Sequence, residues 1–180
     1  LIANSELMKL DIRERFFVEK NKIAVIHPGY DPKQFNTDDR NLNRSSMRAI
    51  WQVNNDAFLF GLVTSGDFVK RNVEGCLKAF KKATESHPQC KLVIVGKSDS
   101  LSQGKKLAGE AGIGEQIISM PPLQDIEKVY HALDLCLHPA HIEEFGQVVQ
   151  ESIMCGTPVL TSRMVGATDL FPTDPKFIVL

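Results

Sequence analysis

A chain of 180 residues with 43% hydrophobic and 24% charged content lies in the ordinary globular range and is long enough to bury one substantial core. Its formal charge of −1 excludes recognition of nucleic acid or an acidic membrane through an overall field, so any anion must be met by a few placed groups. No apolar run approaches the roughly 20 residues of a membrane span, and no basic segment followed by an apolar stretch marks a signal peptide at the start. Cys76, Cys90, Cys136 and Cys155 form no C-x-x-C pair and read as reduced residues of a cytosolic protein.

In chain order, "IANSELMKLDIRERF" reads as the end of a strand, a Ser5 cap and a helix that precedes the main sheet. Short β-branched runs follow: "KIAVI" at 22–26, "FLFGLVT" at 58–64, "KLVIVG" at 91–96, "QIISM" at 116–120, "DLCLH" at 134–138 and "PVLTS" at 158–162. They are nearly continuous apolar runs rather than alternating ones, the pattern of parallel strands covered on both faces. Segments 44–52, 72–86, 102–111, 124–132 and 145–154 have the length and apolar spacing of crossover helices. The repeated order predicts an α/β fold, a doubly wound parallel sheet. "KFIVL" at 176–180 reads as a strand cut at the last residue, and "HPGYDPKQFNTDDRN" at 27–41 as the one long polar connection. There are no internal repeats, and the chain reads as a fragment.

Ligands of an open parallel sheet bind at the carboxyl ends of its strands, so the loops after 64, 96, 120 and 138 converge on one edge. In "SGDFVKRNVEG", Gly66 permits a tight turn, and Lys70 and Arg71 place two cations before a helix starting near Asn72. Together with the free amides of that helix start they suit a diphosphate; the alternative is a solvated Lys-Arg pair.

The second loop is "HIEEFGQVVQE" at 141–151. On a helical wheel Phe145, Val148, Val149, Ser152 and Ile153 share one broad face, with Glu144, Gln147 and Glu151 on a neighbouring stripe. Glu151 therefore borders the core, where a pair of ribose hydroxyls would satisfy its carboxylate bidentately. Glu143 precedes the helix and can face the strand edge, while Gly146 lets a ligand approach backbone amides closely. The plainer alternative is an amphipathic helix with acids at its N-terminus. His138 and His141 lack a third ligand at metal spacing and read as loop or wall residues. No Walker sequence, nucleophile elbow or nucleic-acid motif is present.

Taken together, "LHPAHIEEFGQVVQESIMCGTPVLTS", "VTSGDFVKRN" and "KLVIVGK" resemble the nucleotide-sugar-binding domain of family 4 glycosyltransferases of the GT-B fold. That signature is two glutamates separated by seven residues, here Glu143 and Glu151, then a small-residue turn and a G-x-P-V strand, here Gly156, Pro158 and Val159. "SGDFVKRNV" and "LHPA" resemble most the bacterial lipopolysaccharide-core glucosyltransferases. The resemblance covers nearly the whole chain and implies a Rossmann-like C-terminal lobe over 22–180. Residues 1–21 would then be the interdomain connection and the end of an absent N-terminal domain.

It implies a role for each site residue. Glu151 would hold the ribose, Glu143 the hydroxyls of the transferred sugar, and amides around Phe145, Gly146, Gln147 and Val148 the sugar and diphosphate. Many members carry an Arg directly after the glycine, where this chain has Asp67; Arg71 then takes the place of their lysine with Lys70 as its companion, and either can make the main diphosphate contact. The expected protein is a retaining hexosyltransferase, cytoplasmic or peripheral at the membrane. It would need no metal or cofactor, with UDP-glucose as donor and a glycan or lipid-linked acceptor held by the absent domain. Rival readings are a nucleotide-sugar epimerase of the same two-domain plan and a non-catalytic nucleotide-binding module.

Overall fold

A computed structural model describes residues 1–64 and 67–170. The expected strand at 176–180 and the Gly66 turn lie outside them. The elements run β1 (Ile2–Ala3), α1 (Glu6–Phe16), β2 (Ala24–Val25), α2 (Arg40–Ile50), β3 (Leu59–Val63), α3 (Val73–Ser86), β4 (Lys91–Val95), α4 (Ser98–Glu110), β5 (Ile117–Met120), α5 (Ile126–Ala132), β6 (Leu135–His138), α6 (Gln147–Met154) and β7 (Val159–Thr161). No described helix is long and apolar enough to cross a membrane.

Five strands form one all-parallel sheet in the order β5-β4-β3-β6-β7. Alternation along β4 explains why its run is apolar throughout: Val93 and Val95 point to the side of α2, α5 and α6, and Leu92 and Ile94 to the side of α3 and α4. Each is at most 2% exposed, and burying such a side chain contributes about 1.5–3 kcal/mol. All four cysteines are free and buried. The chain builds outward from β3 through β4 to β5, then returns to the other side of β3 with β6 and β7. The strand order therefore reverses between β3 and β6, which is where an open α/β sheet leaves a crevice.

The "KIAVI" run departs from expectation. Only Ala24–Val25 is strand, and it pairs with β1 in a separate two-stranded parallel sheet, Ile2 opposite Ala24 and Ala3 opposite Val25. A boundary between 21 and 22 thus falls between two paired strands. Ser5 does cap α1, its hydroxyl accepting from Met8 N at 3.1 Å. The helices expected at 44–52 and 102–111 start four residues earlier, at Arg40 and Ser98.

The early start of α2 has a purpose the apolar pattern does not carry. Arg40, Arg44 and Arg48 form a row four residues apart, and all three reach inward. Arg40 Nη1 donates to the Cys155 carbonyl (2.6 Å) and to Thr157 Oγ1 (2.8 Å). Arg44 Nη2 donates to Asp134 Oδ1 at 2.6 Å. Arg48, 1% exposed, donates to Asp134 Oδ2 (2.6 Å) and to the carbonyls of Asn54, Asn55, Ala57 and Ala132. Asp134 Oδ2 also accepts from Leu59 N at 2.7 Å, so this cluster pins the starts of β3 and β6 together. Arg48→Met should lower stability by about 3 kcal/mol in denaturant unfolding, because it strands several buried carbonyls and half of the Asp134 ion pairing. A loss under about 1 kcal/mol would show the cluster to be dispensable.

Candidate functional site

The loops that follow β3 and β6 face each other across the switch point. They are tied by the backbone, His141 N donating to the Lys70 carbonyl at 2.9 Å. On the far side, Glu143 makes an isolated parallel bridge with Val165: its N–H donates to the Met164 carbonyl (2.9 Å) and its carbonyl accepts from Gly166 N (3.0 Å). A third wall comes from the beginning of the chain, where Ser5 Oγ donates to the Glu144 carbonyl at 2.6 Å. Gly166 has to be glycine for this, since a Cβ there would run into that carbonyl and the Ser5 side chain. The His27 ring packs 5.8 Å from Phe145.

These elements enclose an open cavity of about 530 Å³ lined by Arg71, His138, Glu143, Gly146, Gln147 and Glu151, with Asn4 and Pro28 completing the wall. Most of the residues singled out in the sequence are brought together. Glu143 is only 9% exposed and its Oε2 is in contact with Arg71 Nη1. Burial lowers the Arg71 pKa, with Glu144 and Asp67 opposing that shift, and the guanidinium keeps its charge. Gly146 is not in the first helical turn: it precedes α6 in the left-handed region at φ 95°, which only glycine adopts readily. A Cβ there would lie 2.9 Å from Val165 Cγ1 and 3.3 Å from Glu143 Cγ. The helix starts at Gln147, so the amides of Gln147 and Val148 have no carbonyl within it to bond, and both residues line the cavity.

Two residues, Lys70 and Glu151, have partners that the sequence did not show. Lys70 is outside the cavity lining and bonds Glu144 instead, Nζ to Oε1 at 3.1 Å and to Oε2 at 3.3 Å. The Glu144 carboxyl is held below its usual range by its own backbone N–H and then by Lys70. Phe145 lines the cavity and turns its ring into the core at 3% exposure, as its place on the core face of the helical wheel implied. Glu151 Oε2 accepts from Tyr130 OH at 2.7 Å, so the carboxylate already has one partner and Oε1 is the freer of its two oxygens. Burial raises the Glu151 pKa against the effect of that hydrogen bond.

Tyr130, His138, Glu144 and Asn4 belong to the site and were not assigned to it from sequence. Tyr130 sits on α5, within the helix expected at 124–132, and it is fully buried. His138 had a signal, as the last residue of β6 it must lie at the carboxyl edge. It is 5% exposed, whereas His141 is exposed. Among the described residues no group of three or more His, Cys, Asp or Glu side chains is placed to hold a metal ion.

Burial, with the Arg71 charge adding to it, pushes His138 from 6.5 down to about 4. A histidine depressed in the folded state costs nothing above its unfolded pKa and destabilises as the pH falls from 6.5 toward 4, because the unfolded chain binds the proton first. A shift of this size is worth about 3 kcal/mol at about pH 4. The charged groups facing the ring are Arg71 and Glu143, and the substitution leaves both in place. His138→Gln should therefore lose about 3 kcal/mol less stability than wild type between about pH 7 and pH 4, read by urea unfolding at each pH. Equal losses would mean that the ring is open to water and titrates normally.

A model of the family described as "Glycosyl transferases group 1" matches residues 43–174. The D-inositol 3-phosphate glycosyltransferase of Mycobacterium marinum (strain ATCC BAA-535 / M) is 30% identical over 157 residues, covering 81% of this chain and 31% of the relative. That of Mycolicibacterium smegmatis (strain ATCC 700084 / mc(2)155) is 28% identical over 179 residues, covering 92% and 38%. The chain thus spans about a third of the length of these curated relatives. Among solved structures, Anabaena Alr3699/HepE in complex with UDP and glucose superimposes with a TM-score of 0.81 at 23% identity, over 95% of this chain and 46% of that one. WaaG, a glycosyltransferase involved in lipopolysaccharide biosynthesis, gives 0.77 at 23% identity, over 94% and 46%. At such identities these neighbours speak for the fold, the Rossmann-like lobe of a GT-B glycosyltransferase. With the family model matching well over half of its residues, the chain belongs to the glycosyl transferases group 1 family.

Proposed function

We propose that the chain is the donor-binding lobe of a retaining glycosyltransferase that moves a hexose from a nucleotide diphosphate sugar, UDP-glucose in the first instance, to a glycan or lipid-linked acceptor. The reading is carried by one observation: a half-buried cation, Arg71, and two carboxylates, Glu143 and Glu151, line one cavity at the sheet's switch point beside the unbonded amides at the start of α6. Arg71, with Lys70 in reach once it leaves Glu144, takes the diphosphate. Glu151, steadied by Tyr130, takes the ribose with its freer oxygen. Glu143 takes hydroxyls of the sugar. Residues 1–21 serve as the connection to a preceding lobe that holds the acceptor.

In transfer, the bond between the anomeric carbon and the β-phosphate oxygen breaks with its electron pair going to the phosphate. The acceptor oxygen bonds to the same face of that carbon, and its proton passes to the departing phosphate. Charge gathers on the diphosphate as the sugar becomes cationic, so groups that bind it more tightly at that moment lower the barrier. Glu143 orients the sugar and offsets its positive charge, and is not assigned as a nucleophile.

Calorimetric titration with uridine, UDP and UDP-glucose tests these roles. Glu151→Ala should weaken all three ligands by about 10- to 150-fold, the worth of a hydrogen bond to a charged group. Glu143→Ala should leave UDP close to wild type and weaken UDP-glucose. UDP binding to Glu151→Ala at wild-type strength would remove the ribose assignment. Lys70→Gln with Arg71→Gln should weaken UDP far more than uridine, by a margin that shrinks as salt rises, because partly exposed charges are screened over about 8 Å at physiological ionic strength. Equal losses for uridine and UDP would move the diphosphate elsewhere. A companion assay of transfer uses a longer chain that carries the preceding lobe, with acceptors that include lipopolysaccharide core and D-inositol 3-phosphate, the latter suggested by the names of the relatives. Hydrolysis-free transfer to one of them identifies the acceptor, and a 2-epimerised sugar as the sole product would favour an epimerase.

A further inference from the structure

His138 ends β6 with its side chain 5% exposed. Its Nε2 is closed off from solvent and has no hydrogen-bond partner among the described residues. Leaving a polar atom buried in this state costs about 1–3 kcal/mol, so the arrangement calls for a reason. The atom points toward the cavity wall: Glu143 Oε2 stands 3.7 Å away, about half an ångström beyond bonding range. That oxygen is occupied by Arg71 Nη1. Gly146 keeps the space beside the ring open, since a Cβ there would lie 3.6 Å from Nε2.

We infer that His138 is a positioning residue for recognition of the transferred sugar: when a diphosphate draws Arg71 away, His138 Nε2–H donates to Glu143 Oε2 and holds the carboxylate so that its other oxygen meets a sugar hydroxyl. The inference rests on the diphosphate role of Arg71 and the sugar role of Glu143 proposed above. Without such a second partner, Glu143 would lose its counter-ion at the moment it must accept a hydroxyl, and a carboxylate 9% exposed would be left with half of its lone pairs empty. A neutral donor suits the exchange better than a cation. It fixes the carboxylate's direction without cancelling the charge that makes it a strong acceptor, and it does not repel Arg71 in the free state. Burial and the Arg71 charge keep the ring in that neutral form.

Two substitutions separate positioning from packing. In His138→Gln the amide nitrogen reaches the place of Nε2, whereas in His138→Asn it falls short near the place of Nδ1. Wild type, both variants, Glu143→Gln and the two double variants are titrated with UDP and UDP-glucose, and their folding is checked by thermal unfolding. The expected result is that His138→Asn weakens UDP-glucose about tenfold relative to UDP, that His138→Gln recovers most of this loss, and that neither has a further effect in the Glu143→Gln background. An unchanged ratio of the two affinities in His138→Asn overturns the inference. So does a loss shared equally by UDP and UDP-glucose, or one that persists in full beside Glu143→Gln. Failure of the wild-type chain to bind UDP at all overturns the donor-site reading and takes this inference with it.

Discussion

The pairing of two adjacent cations with two adjacent carboxylates across the β3–β6 switch point is the constraint on which the rest of the site depends. Arg71 meets Glu143 and Lys70 meets Glu144, each partner supplied by the opposite loop. A guanidinium as enclosed as that of Arg71 is tolerable because a carboxylate opposes it. The free site is therefore already neutralised, and with Glu151 in the wall it carries no surplus of positive charge for an anion. The proposed diphosphate would gain only the difference between its own contacts and those it displaces. The amides of Gln147 and Val148 matter for that reason: no described side chain holds them. Glu144, whose partner Lys70 lies outside the cavity lining, acts on the same balance, since its pull on Lys70 would have to be overcome before that cation could reach the proposed phosphate.

Such pairing works only if the two loops keep their spacing, and this is set a strand length away. Asp134 binds Arg44, Arg48 and the Leu59 amide at the bottom of β3 and β6. Both strands then run parallel in register, Phe60 beside Leu135 and Gly61 beside Cys136, so their upper ends emerge side by side. In the charge cluster at one end no buried side-chain atom of Arg44, Arg48 or Asp134 lacks a partner, while the one at the other end leaves His138 Nε2 without a partner among the described residues. That contrast distinguishes a scaffold from a site: the second retains hydrogen-bonding capacity in its wall.

Periodicity made the sheet legible. Apolar runs at β3, β4, β5, β6 and β7 match the observed strands to within a residue or two, because a strand covered on both faces has little freedom in its composition. The spacing of Glu143 and Glu151 with Gly146 between them was legible too, since it sits at a strand edge where ligands bind. The arginine row of α2 was not, because inward-facing cations look like a solvated face until the carbonyls that accept from them are known. Nor was the Tyr130–Glu151 bond, which joins residues on different helices, or the pairing of Arg71 with Glu143, which arises from two loops far apart in sequence. The short "KIAVI" strand was recognised, but its partner was not, since β-branched composition says nothing about which strand it will lie beside.

That last point bears on where the site ends. A boundary between 21 and 22 is what the resemblance implied, and β1 and β2 are paired across it. β2 is held by β1, and the segment between them includes Ser5, whose hydroxyl fixes the Glu144 carbonyl. Glu6 N donates to Asp169 Oδ2 at 2.6 Å, fastening the start of α1 to the segment that follows β7. Asn4 and Pro28 face the cavity from this same unit, and His27 bonds the Asn4 carbonyl through Nδ1 at 3.0 Å while its ring lies against Phe145. The opening stretch is thus a wall of the site. Through Ser5 and His27, residues 1–28 are in direct contact with the Glu144–Phe145 stretch. A segment that shares a hydrogen bond with that loop belongs to the frame that holds the Arg71–Glu143 and Lys70–Glu144 pairs in place.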